Sequence, residues 1–355
     1  MRVLVFNPFN DRSETAMYLA LVKEGVELEL ICDPSAAEIN ELKNGGVIIT
    51  EMPIRHRLDI NAISNLRRKL KQNRYDIIYT TLNSCLSVSL IAARGINVKQ
   101  VSYRGTIGHL SRWDPSSWLT YLNPGIDRII CVSEAVRKYL LSLHLPPARL
   151  TTIYKGHDPA WYASLKAPPL AQFGIPEKAF VIGFTGRMRP VKGAGILIKS
   201  AHHLPGNQDF HFILVGEVSD PDITALASDP EIKSRFHFTG VRNDAAAIAG
   251  ACHAFVMPSI AREGLPRSVI EAMAQGVTPV VSDVGGMPEL VINNESGLVV
   301  PPGNPEALAK AISFLADNPA KRNIMGQNAR KRISEAFNIT TTVSRTLSLF
   351  HEVMD

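Results

Sequence analysis

Short β-branched runs alternate with helical patterns along almost the whole chain, and this alternation limits the fold more than any other feature. In the first half the strand candidates are VLVF (3–6), ELELI (27–31), GVIIT (46–50), DIIYT (76–80), KQVSY (99–103) and RIICV (128–132). Helical stretches separate them, such as SETAMYLALVKEG, where Ser13 is placed to cap and Gly25 to stop the helix. The strand runs are nearly continuous in apolar residues, as expected of strands covered on both faces. Alternating β and α predicts a parallel sheet with helices on both sides.

The pattern breaks at YKGHDPAWYASLKAPPLAQFGIP (154–176) and restarts with FVIGFTG (180–186), FHFILVG (210–216), FHFTG (236–240), HAFVMPS (253–259) and TPVVSD (278–283). Three helical runs, 304–316, 319–333 and about 338–353, close the chain. At 355 residues there is room for two domains of ~150 to 190 residues each. The expected architecture is therefore α/β, with two Rossmann-like doubly wound domains. They cover 1–155 and 177–337, joined by a linker at 156–176, with the last helix (338–355) returning to the first. In a two-lobed chain of this kind a ligand is expected in the cleft, at the carboxyl ends of the strands.

The stretch GFTGRMRPVKG (183–193) reads as a strand, a glycine turn, and then Arg187, Arg189 and Lys192 ahead of a helix beginning near Gly193. A helix N-terminus favours anions, and cations beside it suit a pyrophosphate. Neither Walker-A spacing nor GxGxxG is present, so an ATPase or a dinucleotide fold gains no direct support. Further on, EGLPRSVIE places Glu263 in a Gly-Pro turn and Glu271 in an apolar run. Taken alone, the two carboxylates suit a glycosidase pair or a metal. The string Asp220-Pro221-Asp222 reads as a loop rather than a metal site.

Several strings in the second half follow one another in order. They are GR…KG after the first strand, LVGE (214–217), FTGVR (238–242), EGLPRSVIEAMAQG (263–276), PVVSDVGGMPELV (279–291) and GLVVPPGNPEALA (297–309). With DRIICVSEAVRKYL (127–140) in the first half, this series resembles the retaining glycosyltransferase family 4, which has the GT-B fold, of the bacterial surface-glycan type. The resemblance covers essentially the whole second domain. It implies that Arg187 and Lys192 neutralise the donor's diphosphate, with Gly186 and Gly216 at the strand ends beside it. It implies that Glu271 holds the ribose hydroxyls and Glu263 those of the transferred sugar. Backbone amides around Gly264, Leu265, Pro266 and Arg267 would lie along sugar and phosphates, and Gly240, Val241 and Arg242 would border the base.

Such cations stabilise the charge that develops on a leaving diphosphate more in the transition state than in the ground state. The expectation is then of no cofactor and no metal, with a nucleotide diphosphate sugar, UDP-linked by preference, as co-substrate. Two departures stand out. The family's Gly-Gly loop after the first strand is replaced by NPFNDRSET (7–15), where the N–H groups of Ser13–Thr15 are the expected substitute. In VSYRGTIGHLSRW (101–113), Arg104 falls where the family's histidine stands, and His109 follows five residues later. His109 is favoured as the catalytic-side group, and Arg104 is the rival or an acceptor contact. Trp113, Trp118, Tyr121 and Leu122 fit either core packing or an acceptor surface. Ser133 fits either a helix cap or the cleft.

The net charge of +5 lies wholly in the first half, where residues 1–160 hold 20 Lys+Arg against 15 Asp+Glu. Part of it is RHRLDINAISNLRRKLKQNR (55–74), read as a solvated helix face or a patch for anionic lipid or acceptor. No nucleic-acid motif accompanies the charge. The four cysteines are far apart in apolar runs, as in buried thiols of a reducing compartment. No signal peptide and no apolar stretch of ~18 residues is evident. The expected location is cytoplasmic, or peripheral on the inner face of the cytoplasmic membrane. The function implied is transfer of a sugar to a hydroxyl of a glycan or glycolipid, as in lipopolysaccharide or surface polysaccharide synthesis. A non-hydrolysing sugar-nucleotide epimerase and a non-catalytic binding relative are the alternatives.

Overall fold

A computed structural model describes residues 1–36 and 38–355. The chain divides into two compact units, Met1–Gly156 with Ile339–Asp355, and His157–Asn338. Each is a parallel sheet wrapped by helices. The first holds strands β1 (Arg2–Phe6), β2 (Glu27–Cys32), β3 (Ile48–Glu51), β4 (Ile77–Thr80), β5 (Lys99–Arg104), β6 (Arg128–Cys131) and β7 (Leu150–Thr152). Their order is β3-β2-β1-β4-β5-β6-β7. The second holds β8 (Phe180–Thr185), β9 (Phe210–Val215), β10 (Phe236–Gly240), β11 (Ala254–Met257), β12 (Thr278–Ser282) and β13 (Leu298–Val300), ordered β10-β9-β8-β11-β12-β13.

Both orders reverse direction once, between β1 and β4 and between β8 and β11. At such a point adjacent loops leave in opposite directions and open a crevice beyond the strand ends. Strands β7 and β13 were not expected from the sequence, because three residues, LTT and LVV, carry too little pattern. The interior strands are buried almost throughout, which their unbroken apolar runs require.

The last helix, Ile339–Met354, packs Val343, Leu349, Phe350 and Val353 into the first unit's core beside Met17, Tyr18 and Leu21. Phe350 meets Tyr79 edge-on, ring centroids 5.8 Å apart. The segment expected as a linker is mostly built into the second unit. His157 is buried, its N–H donates to Phe337 O at 2.7 Å, and its Nδ1 lies 2.7 Å from the Tyr162 hydroxyl. Ile175 joins that unit's core, with Leu170 and Phe173 packed against it. Proline and glycine interrupt periodicity there without detaching the chain from the fold.

All four cysteines are buried, and burial pushes the thiols of Cys85, Cys131 and Cys252 up to about 12. The helix predicted to be capped by Ser13 spans Arg12–Lys23 and is capped by Asp11, which forms a capping box with Glu14. The Ser13 hydroxyl, inside the first turn, instead donates to Gly156 O at 2.5 Å. The N–H groups expected to meet a phosphate here are thus faced by two carboxylates. Lys155 neutralises both, with Nζ 2.6 Å from Asp11 Oδ2 and 3.2 Å from Glu14 Oε1. Burial raises the Glu14 carboxyl against the pull of Lys155.

Lys155→Ala would leave two partly buried carboxylates without their cation. It should lower stability by about 3 kcal/mol, read as a fall in melting temperature. An unchanged melting curve would show that the cluster does not hold this end of the sheet.

Candidate active site

In the second unit, the turns that follow β8 and β11 meet at the reversal point of the sheet. Gly193, at φ 72°, lets the first turn run so close to the second that a Cβ there would lie 1.9 Å from Pro258 O. The Ile260 N–H donates to Val191 O at 2.9 Å and joins them by backbone. Side chains complete the junction. Lys192 Nζ donates to Glu263 Oε1 at 2.7 Å, and Ser259 Oγ donates to the same oxygen at 2.6 Å. Glu263 is 5% exposed, and Ser259 is fully buried.

A nearly buried carboxylate is costly unless paired and hydrogen-bonded. Here Lys192 and Ser259 meet that requirement on one oxygen, while the Lys192 side chain keeps 31% of its surface open to solvent. A third turn, after β12, closes on the same segment. Gly285 has φ 60°, and a Cβ there would fall 1.9 Å from Glu263 O. Glu263 is therefore fixed from both sides.

Pro266 precedes the helix Arg267–Ala274, whose start has no side-chain cap. Gly264 and Leu265 run into this start, so backbone N–H groups gather beside Glu263 and Lys192 and favour negative charge. Glu271, on the second turn of the helix, pairs through Oε1 with Arg267 Nε at 3.2 Å. After β8, Gly186 donates its N–H to Val215 O at 2.9 Å, and Gly216 approaches it so closely that a Cβ would lie 2.1 Å from Gly186 O. Arg187 then pairs with Glu217 at 3.2 Å, both more than half exposed. Such a surface pair is weak and open to exchange for a better anion.

At the end of β10, Gly240 has φ 71° and Val241 is 78% exposed. Arg242 is held by both Asp244 oxygens, at 2.7 and 2.8 Å, and lies over the Phe173 ring. Its guanidinium is thus engaged within the protein. Asp220 of the Asp-Pro-Asp string caps the helix Pro221–Ala227. Sequence reasoning did not single out Ser259, Glu217 or Gly285. All three lie in quoted strings, HAFVMPS, LVGE and PVVSDVGGMPELV, and the first two are polar residues two positions past strand ends.

In the first unit, a cavity of 620 Å³ opens at the carboxyl ends of β1, β4 and β5. Asn7, Arg57, Ser84, Arg104 and Tyr121 are among its lining residues. Arg104 is buried, donating from Nε to Thr106 O at 2.9 Å and from Nη2 to Gly108 O at 2.6 Å, above the Tyr121 ring. It folds the following loop, in which Gly108 and His109 both have positive φ, 93° and 64°. His109 is exposed at the loop's tip. Arg104 and His109 thus divide the work, one shaping the loop and the other displayed by it. Ser133 is buried and caps the helix Glu134–Ser142 through Val136 N at 3.3 Å. Tyr121 and Leu122 are core, whereas Trp118 is partly exposed and Trp113 is 96% exposed.

A family model described as glycosyl transferases group 1 matches residues 170–332, and one described as glycosyltransferase family 4 matches 15–161. The chain belongs to the glycosyltransferases of this type. Its sequence is 25% identical over 316 residues to the Escherichia coli UDP-Gal:alpha-D-GlcNAc-diphosphoundecaprenol alpha-1,3-galactosyltransferase, covering 83% of this chain and 80% of that protein. Further curated relatives are matched over between 44% and 63% of their own length. Among solved structures, a Rickettsia africae glycosyltransferase superposes with TM-score 0.84 at 19% identity, covering 100% of this chain and 98% of that one. Anabaena HepE in complex with UDP gives 0.82 at 21%, covering 99% and 100%. At these identities the likeness speaks to the fold, GT-B with two Rossmann-like domains. The glycosyltransferase therefore has the fold that its sequence pattern implied.

Gly285→Ala places a methyl group against the Glu263 backbone at a positive φ. It should cost about 1 to 3 kcal/mol and lower the melting temperature by several degrees. A variant as stable as the parent would mean that this turn does not brace Glu263.

Proposed function

We propose that the chain is a retaining, metal-independent glycosyltransferase that moves a sugar from a nucleotide diphosphate, UDP by preference, to a hydroxyl of a glycan or glycolipid. The observation that carries this reading is the junction of Lys192, Glu263 and Ser259 at the sheet reversal, with an uncapped helix start and Arg187 beside it. Cations and backbone N–H groups of this kind suit a diphosphate that gains charge as it leaves. Lys192 uses one of its three donors on Glu263 and offers the others to phosphate oxygens. Glu263 accepts both bonds on Oε1, and Oε2 serves a hydroxyl of the sugar. Glu271 exchanges the exposed Arg267 for the vicinal hydroxyls of ribose, and the chain at Gly240 and Val241 borders the base.

In the transfer itself, the bond between the anomeric carbon and the phosphate oxygen breaks, and its electron pair stays on phosphate. The acceptor hydroxyl attacks from the same face and gives its proton to that departing oxygen. Lys192 and Arg187 supply the counter-charge, so a metal is not needed for this step. His109 lies on the acceptor side as a hydrogen-bonding partner for the sugar. The E. coli relative acts, by its name, on a diphosphoundecaprenol-linked acceptor, and HepE is bound to UDP and to UDP-glucose in separate structures. These names support a UDP-sugar donor and a lipid-linked surface-glycan acceptor. Family membership leaves the epimerase alternative without support.

Lys192→Ala and Glu271→Ala should each reduce transfer from a matched UDP-sugar by about a hundredfold or more. Glu271→Ala should leave the melting temperature little changed, whereas Lys192→Ala, which strips nearly buried Glu263 of its cation, should also lower it. Thermal stabilisation by that donor should weaken in parallel. Undiminished transfer by both variants would sink the assignment.

A further inference from the structure

The first unit concentrates its exposed apolar side chains on one edge. Phe9 (59% exposed) follows β1, Leu58 (49%) and Ile60 (78%) follow β3, Leu82 (42%) follows β4, and Trp113 (96%) and Trp118 (39%) follow β5. Because these strands are parallel, all four segments leave the sheet at its carboxyl edge. The unit's other large exposed apolar residues, Ile48 and Met354, lie outside these segments. Isolated exposed apolar residues are ordinary, but six on neighbouring loops with a nearly naked tryptophan mark a contact surface.

Two of these segments, those after β3 and β5, are also basic. Arg55 and Arg112 are exposed, and Arg57 lies between Leu58 and His56. The Arg112 guanidinium, exposed, donates from Nη1 to Leu143 O at 3.0 Å and sits 5.4 Å from the Trp118 ring centre, and Trp118 Nε1 donates to Arg112 O at 2.9 Å, so cation and indole form one unit at the surface. The acids of these segments are occupied locally. Asp59 Oδ1 accepts from Asn61 N and Ala62 N, and Asp114 Oδ1 accepts from Ser116 N. Ser116, more than the nearby charge of Arg57, holds the Asp114 carboxyl below its usual range. The helix face that seemed basic in sequence is different. Arg67 donates to Ala92 O and Arg94 O, and Lys69 pairs with buried Glu29, so both charges serve the fold.

We propose that this edge is a membrane-docking surface that seats on a bilayer carrying anionic lipids. Indoles favour the headgroup level, guanidinium groups meet lipid phosphates, and Ile60, Leu58, Phe9 and Leu82 enter the acyl boundary. Four separate segments, each presenting one or two apolar tips and two of them flanked by arginines, suit a yielding lipid surface better than a shaped protein groove. The 620 Å³ cavity lies within this rim, with Phe9, Arg57 and Leu82 on its wall. A headgroup anchored in the bilayer would therefore enter it directly. That last consequence rests on the lipid-linked acceptor proposed above, whereas docking itself does not.

The test is sedimentation of the full chain, without any sugar nucleotide, with vesicles of phosphatidylcholine alone and of phosphatidylcholine mixed with phosphatidylglycerol. Binding is expected only to the mixed vesicles and should fall as salt rises. Trp113→Ser with Ile60→Ser should weaken it about tenfold, as should Arg55→Glu with Arg112→Glu. Donor-induced stabilisation should be unchanged in both variants, as should the melting temperature of the tryptophan-isoleucine variant. No binding by the parent chain, equal binding to both vesicles, or full binding by the tryptophan-isoleucine variant overturns the proposal. Loss of donor stabilisation in the parent would instead count against the enzymatic reading alone.

Discussion

A buried carboxylate forces most of the second unit's local design. Glu263 is almost fully withdrawn from water, and an unpaired charge there would be costly enough to unfold the turn. Lys192 and Ser259 answer it from the turns after β8 and β11, and this choice ties together loops more than 60 residues apart in sequence. Close backbone approach then becomes obligatory, which is why Gly193 and Gly285 stand where a Cβ would strike Pro258 O and Glu263 O. The same packing that satisfies the charge also brings cationic and N–H groups to one point beyond the sheet. Preorganised groups of this kind favour negative charge with little rearrangement.

The first unit follows another logic at the equivalent place in its sheet. Around β1, charge is neutralised internally by Asp11, Glu14 and Lys155 rather than held ready for an anion. Its cavity is instead lined mostly by neutral polar groups, with Glu14, Arg57 and Arg104 beside them, and its rim is apolar. The two halves share a topology and differ in what they place at the reversal point.

Much of the fold was legible in the sequence because local periodicity reports burial. Eleven of the strands lie in runs quoted from the sequence, and in the interior ones, such as FHFILV, near-continuous apolar character matches full burial. The family strings placed Lys192, Glu263 and Glu271 in one region. What they could not convey was the direct Lys192–Glu263 pair, which depends on how two distant turns cross. Ser13 illustrates the opposite limit. Its type suited a cap, but the backbone entered the helix two residues earlier and gave that task to Asp11. The sequence favoured His109 over Arg104, but it could not show the guanidinium's bonds to Thr106 O and Gly108 O, which exist only once the loop has folded.

The sequence by itself determined two parallel α/β sheets, the glycine-punctuated turns and the set of charged residues of the second half. Those follow from side-chain periodicity and from residue types that only certain backbone conformations accept. Tertiary structure decided the partners. It paired Lys192 with Glu263, turned Arg67 and Lys69 inward, drew 157–176 into the second unit, and left Trp113 in solvent. Each of these outcomes depends on burial and on neighbours remote in the chain, so a charge or an indole reads the same in sequence whether it ends inside or outside.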